Sequence, residues 1–145
     1  MAETNPSSIR PGDSASRSRV IETADIVRFT EISGDRNPLH YDEDVAARSR
    51  FGRIIVQGGV TSALLNALVA EDLPGPGSVF LNVNWSFRAP VSPGDVITAT
   101  VVVLEAREDK PIFTLSTAIT NQDSVTVLDG TALVWREPLG RTDER

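Results

Sequence analysis

The chain has 145 residues, which suits one domain whose core buries about two-thirds of the unfolded surface. Twenty acids against 14 Lys and Arg give a net charge of −6, which argues against a nucleic-acid or anionic-membrane surface, though not against a small anionic ligand held by a few arginines. With no cysteine and one histidine, disulfides and thiolate chemistry are excluded, and a zinc site would have to be mostly carboxylate, so no metal is expected.

Residues 1–17 are rich in Ser, Pro, Asn and Arg and read as a disordered lead-in. They contain no apolar leader core, and no apolar run reaches membrane-spanning length, so a cytoplasmic protein is expected. A short strand is predicted over "RVIE", residues 19–22. Thr23 then has the chemistry to cap a helix with Asp25 in its first turn, an apolar face of Ile26, Val27, Phe29 and Ile32, and a stop at Gly34. Asp42 can cap a second, short helix over roughly 43–49. The connector "FGRIIVQGG" leads to a helix over 60–73 whose apolar residues extend nearly around the cylinder, which predicts burial on most sides.

"LPGPG" ends that helix, and strands follow at 78–91, 95–108, 111–121 and 124–136. Val, Ile and Thr dominate them, and "SPGD", "EDKP" and "NQDS" supply the turns. Apolar groups fall on both faces of the second strand, so one face should be covered and the other tightly packed. A long buried helix before a meander of antiparallel strands is an α+β fold of the hot-dog type, with one domain over 18–136 and a polar tail over 137–145.

The chain's only histidine lies in "SGDRNPLHYDED", residues 33–44. Asp35 stands five positions before His40, and Asn37-Pro38 makes a rigid corner between them. Each residue has an ordinary explanation: Asp35 as a turn residue, Asn37 as a cap with Pro38 behind it, His40 as a structural imidazole. Together they can bring a carboxylate and an imidazole to one water, a pairing suited to general acid–base work. "QGG", residues 57–59, opens the long helix. Its glycines either leave N–H groups free at the positive helix end for an oxyanion, or only permit close packing. Asn66 is an amide within the helix predicted to be buried, so it should either bond a neighbouring backbone or face the ligand.

"FTEISGDRNPLHYDEDVAA" resembles the hydratase-2 motif of the MaoC-like, (R)-specific enoyl-CoA hydratases, with Asp35, Asn37, Pro38 and His40 in register and Ala46 at the small position. "IIVQGG" and "LPGPGSVFLNVNWSFRAPVSPGD" are similar to further stretches of that family, and the likeness spans roughly residues 18–136. The resemblance implies reversible hydration of a trans-2-enoyl thioester to the (R)-3-hydroxyacyl form. Asp35 and His40 would activate the water, the Gly58 N–H would polarise the thioester carbonyl, and no cofactor would be needed. Asn37 (chiefly by ordering the turn), Gln57, Gly59 and Asn66 would line the substrate. Gln57 stands where the family often has His, which bears on substrate preference. The implied partner is an acyl-CoA or acyl-carrier thioester, and the chain should form a homodimer that protects its sheet edges. A hot-dog thioesterase and the active half of a heterodimer are the other readings of the same fold.

Overall fold

The computed structural model describes residues 8–140. Five strands form one antiparallel sheet: β1 (Ser14–Val20), β2 (Ser78–Phe87), β3 (Val96–Ala106), β4 (Ile112–Thr120) and β5 (Thr126–Arg136), in the order β1-β3-β4-β5-β2. The helices are α1 (Thr23–Ser33), α2 (Glu43–Arg48) and α3 (Gly58–Glu71). α3 contacts β3 and also both edge strands, β1 and β2. One straight helix meets both edges only if the sheet curls around it, which is the expected hot-dog arrangement.

Alternation on β3 and β4 builds the core. Ile97, Ala99, Val101 and Val103 face inward from β3, and Phe113, Leu115, Thr117 and Ile119 from β4. The opposite face is largely Thr and Ser and only half-buried. The expected tight packing there is absent because the β-branched residues are mostly Thr, which tolerates solvent. Register shifts at Phe80/Asn82 and Val103/Glu105 leave Leu81 and Leu104 unpaired, and both are about half exposed.

Residues 8–17 overturn the expected disorder; residues 1–7 and 141–145 lie outside the described residues. Ile9 is buried in the core, and β1 begins at Ser14. Its sequence, SASRSRV, is poor in apolar groups, but an edge strand needs few. Ser16 and Ser18 pair hydroxyl to hydroxyl with Thr100 and Thr98 of β3 at 2.9 and 2.7 Å. At the other end, the Glu137 N–H donates to Gly77 O at 2.8 Å, so the predicted loose tail starts anchored.

Three helix expectations need correction. Glu22, not Thr23, is the N-cap of α1, and the Asp25 carboxylate accepts the Glu22 N–H at 2.8 Å. Ile26 is buried and Phe29 half-buried, while Val27 and Ile32 point to solvent, because α1 touches the body along a narrow stripe. α3 is not buried all round. Val60, Thr61, Leu64, Leu65, Leu68 and Val69 are covered, whereas Gly58, Ala63 and Asn66 are exposed. One sheet wraps only one side of a helix, and small residues line the open stripe. α2 matches its expectation, with Asp42 Oδ1 accepting from the Asp44 and Val45 N–H groups.

Candidate active site

The corner that carries Asp35 and His40 is built from local hydrogen bonds. Gly34 takes φ +81° and donates its N–H to Thr30 O at 2.7 Å, which ends α1. The Asp35 N–H donates to Ser33 Oγ, and Asp35 Oδ1 accepts the Asn37 N–H, both at 3.0 Å. Asn37 Oδ1 accepts the Leu39 N–H at 3.0 Å and caps a single 3₁₀ turn over Pro38–His40, with Pro38 at its first position. The side-chain oxygen of Asn37 is thus spent on the turn, as the ordinary explanation required.

That scaffold leaves Asp35 Oδ2 facing His40 Nε2 at 3.7 Å. The separation is too long for a direct hydrogen bond, and both atoms can bond one water that sits beside the line joining them. His40 is 8% exposed and its Nδ1 lies 2.6 Å from Ile55 O. A carbonyl only accepts, so Nδ1 carries a hydrogen, and the ring turns its other nitrogen, Nε2, toward Asp35. The Asp35 side chain is 38% exposed, so solvent reaches the pair from the carboxylate side.

Behind the corner sits a residue that sequence reasoning missed. Thr30 is buried, and its Oγ1 lies 2.8 Å from Asp35 O, 3.0 Å from Ile26 O and 3.2 Å from Gln57 Nε2, and bonds the Tyr41 hydroxyl. The available signal was helix phase: Thr30 is one turn beyond the buried Ile26 on α1. Nearby, Asp25 is buried with Arg19 at 2.5 Å and Arg28 at 2.9 Å. Burial alone pushes its carboxyl up, but the Glu22 N–H and the two guanidinium groups outweigh it and hold the group below the ordinary carboxylate range.

The remaining predicted residues divide. Gly58 is the first residue of α3 and is exposed, so its N–H belongs to the helix's open first turn. Chain connectivity keeps it near the dyad: Ile55, which holds His40, is three residues away, a span of at most ~11 Å. At Gly59 the close-packing explanation applies, because a Cβ would enter the Phe29 ring. Gln57 is 2% exposed, and its Nε2 donates to Ile26 O at 3.1 Å as well as to Thr30. Its amide therefore works inside the protein. Asn66 lies on the open stripe of α3, which removes the premise that it is a buried amide in need of a partner.

A family profile described as MaoC like domain matches residues 7–126. The chain belongs to the MaoC-like family. Among its curated relatives, the (R)-specific enoyl-CoA hydratase of Aeromonas caviae is 41% identical over 127 residues, covering 88% of this chain and 95% of the relative. The 3-hydroxybutyryl-CoA dehydratase of Methylorubrum extorquens is 43% identical over 114 residues, covering 79% and 72%. The solved (R)-hydratase from A. caviae involved in PHA biosynthesis superposes with a TM-score of 0.85 at 40% identity, covering 90% of this chain and 98% of that one.

On this MaoC-like chain, a hollow of about 520 Å³ opens beside the corner, lined in part by Ile26, Val27, His40, Tyr41, Arg53 and Ile54. A hollow of about 570 Å³ lies at the opposite end of the sheet, under the β3–β4 turn. Of the two, only the first is lined by His40, and neither Asp35 nor Gly58 lines it. Among the described residues no group of three or more His, Asp or Glu side chains is placed to hold a metal, and no helix is long and apolar enough to cross a membrane.

Proposed function

We propose that this chain catalyses the reversible addition of water across the double bond of trans-2-enoyl thioesters, giving (R)-3-hydroxyacyl thioesters. The observation that carries this reading is His40 Nε2, oriented by the Nδ1 bond to Ile55 O, facing Asp35 Oδ2 across 3.7 Å. A water held between them gives up one proton to the pair as its oxygen bonds C3. The pair returns one proton to C2 from the same face, so the sum is one H₂O added. The Gly58 N–H, at the positive end of α3, stabilises the negative charge that develops on the thioester oxygen. The names of the relatives support the same chemistry on coenzyme A thioesters.

The reading includes a homodimer. β2 has one neighbour in the sheet, and Val79, Leu81 and Val83 on it are exposed. A two-fold partner joined along this edge would also cover the open stripe of α3, and Asn66 would reach the acyl group only in such a dimer. Asn66→Ala should then favour longer acyl chains.

The test is loss of enoyl-thioester absorbance with crotonyl-CoA, followed by chiral chromatography of the product. Hydration to the (R) isomer is expected. An (S) product would overturn the stereochemical assignment, and release of free thiol without hydration would replace the reading with a thioesterase. Sedimentation across a range of concentrations should show a dimer; a persistent monomer would sink the assembly.

A further inference from the structure

We infer that the Thr30 hydroxyl is the positioning group of the active site, tying the three segments that carry Asp35, His40 and Gly58 to one atom; this rests on the hydration reading above. The three segments are the end of α1, the 3₁₀ turn and the start of α3, and each makes one bond to Thr30 Oγ1. Asp35 contributes its main-chain oxygen at 2.8 Å, and Gln57, next to Gly58, contributes Nε2 at 3.2 Å. Tyr41, next to His40, contributes its hydroxyl.

A threonine hydroxyl has one hydrogen and two lone pairs, and all three are in use. A helical threonine ordinarily donates to the carbonyl four residues back, here Ile26 O at 3.0 Å. Ile26 O already accepts from Gln57 Nε2 at 3.1 Å, and Asp35 O is the nearer acceptor, so the Thr30 proton goes to Asp35. The Gln57 amide and the Tyr41 phenol then fill the two lone pairs. The hydroxyl touches no reacting atom. It fixes the distance between the carboxylate and the imidazole by holding the backbone of one and the neighbour of the other. Without it, α1's end and the 3₁₀ turn can slide relative to one another, while Asp35 and His40 keep their own local bonds.

Thr30→Val removes the hydroxyl and keeps the shape, and Thr30→Ser restores the hydroxyl without the methyl. With crotonyl-CoA, Thr30→Val should lower kcat about 10-fold or more and leave KM within about 2-fold, since displacing reacting groups by a fraction of an ångström is costly to the barrier. Thr30→Ser should recover most of kcat. Tyr41→Phe, altered at a partly exposed phenol, should fold normally and lose part of the rate.

Because His40 is the only histidine, its ring nitrogens give a single set of NMR signals, and this readout needs no turnover. Thr30→Val should shift or broaden the Nε2 signal while the rest of the spectrum stays folded. The inference is overturned if folded Thr30→Val keeps wild-type kcat, or if Thr30→Ser loses as much as Thr30→Val. It is also overturned if the His40 signals are unmoved. Wild-type protein that hydrates no enoyl thioester would defeat the functional reading, and the His40 signals would still decide whether Thr30 sets the corner.

Discussion

The two halves of the molecule are held together by different forces. From Ser78 onward, β2 to β5 rest on long backbone ladders and an apolar inner face. Between Thr23 and Gly58 there is little ladder, and the conformation is set by side-chain bonds from Ser33, Asp35, Asn37, Asp42, Thr30 and Gln57. A ladder averages over many weak contacts and tolerates loss of one. A corner with one bond per segment does not. Under the proposed hydration, stability belongs mainly to the sheet and catalytic geometry to the corner, and mutations should separate the two.

The largest separation should come from Leu115→Ala at the centre of the sheet, where the side chain is fully buried. A loss of ~2–5 kcal/mol in denaturant unfolding is expected, with kcat nearly unchanged in the fraction that remains folded. Loss of kcat in step with stability would mean that the halves are not independent. Next, Asp35→Asn and His40→Ala should each lower kcat by ~10²-fold, equivalent to about 2.7 kcal/mol of barrier, with little change in melting temperature. Because both act on one water, the double variant should be much less than multiplicatively worse. Near-normal turnover by either folded variant would remove the dyad.

A smaller effect, and one that sharpens the contrast, is expected at Asp25, which belongs to the corner half yet contributes to stability. Asp25→Asn should cost ~1.5–3 kcal/mol, the range for hydrogen bonds to charged groups. Its folded carboxyl is held below the ordinary range, so the ionic contribution is fully present above about pH 4 and is lost as the pH falls through the lower folded value. Wild-type and Asp25→Asn stabilities should thus converge on acidification; a gap that stays constant down to acid would assign the effect to packing. The smallest change is expected for Ser18→Ala, which removes one cross-strand hydroxyl pair at an exposed edge, for less than about 1 kcal/mol.

The sheet was largely legible in the sequence because Val, Ile and Thr alternate over whole strands, and a period of two survives errors of a residue or two at each end. Asp35 and His40 were legible because the residues that shape their corner are adjacent in sequence. β1 was legible only at its end, where Arg19 and Val20 fall in the strand predicted over 19–22; before them an edge strand presents few inward groups, so Ser and Arg dominate and the composition imitates disorder. Thr30 was not legible either. It carries one hydroxyl, and its bonds to Tyr41 and Gln57 span 11 and 27 residues, distances over which no local pattern extends. The exposure of Asn66 was missed for a related reason: apolar periodicity shows what a helix offers for burial, whereas only the size of the sheet decides how much of it is covered.

The strand order has a consequence for how the protein is made. The sole neighbour of β2 in the sheet is β5, and β1 bonds β3 across 84 residues at Ser16 and Thr100. During synthesis Asp35, His40 and Gly58 emerge first, then β2, whose Val79 and Val83 must wait for Trp135 and Ala132 of β5 before they have a mate. The nascent chain therefore passes through a stretch in which the edge of β2 is presented with nothing to pair it, and closure of the sheet is deferred until β5 has been made. Loss of β5 at a premature stop would leave β2 without its partner and open to self-association, so the last strand of the sheet governs whether the corner made before it is ever held in a closed fold.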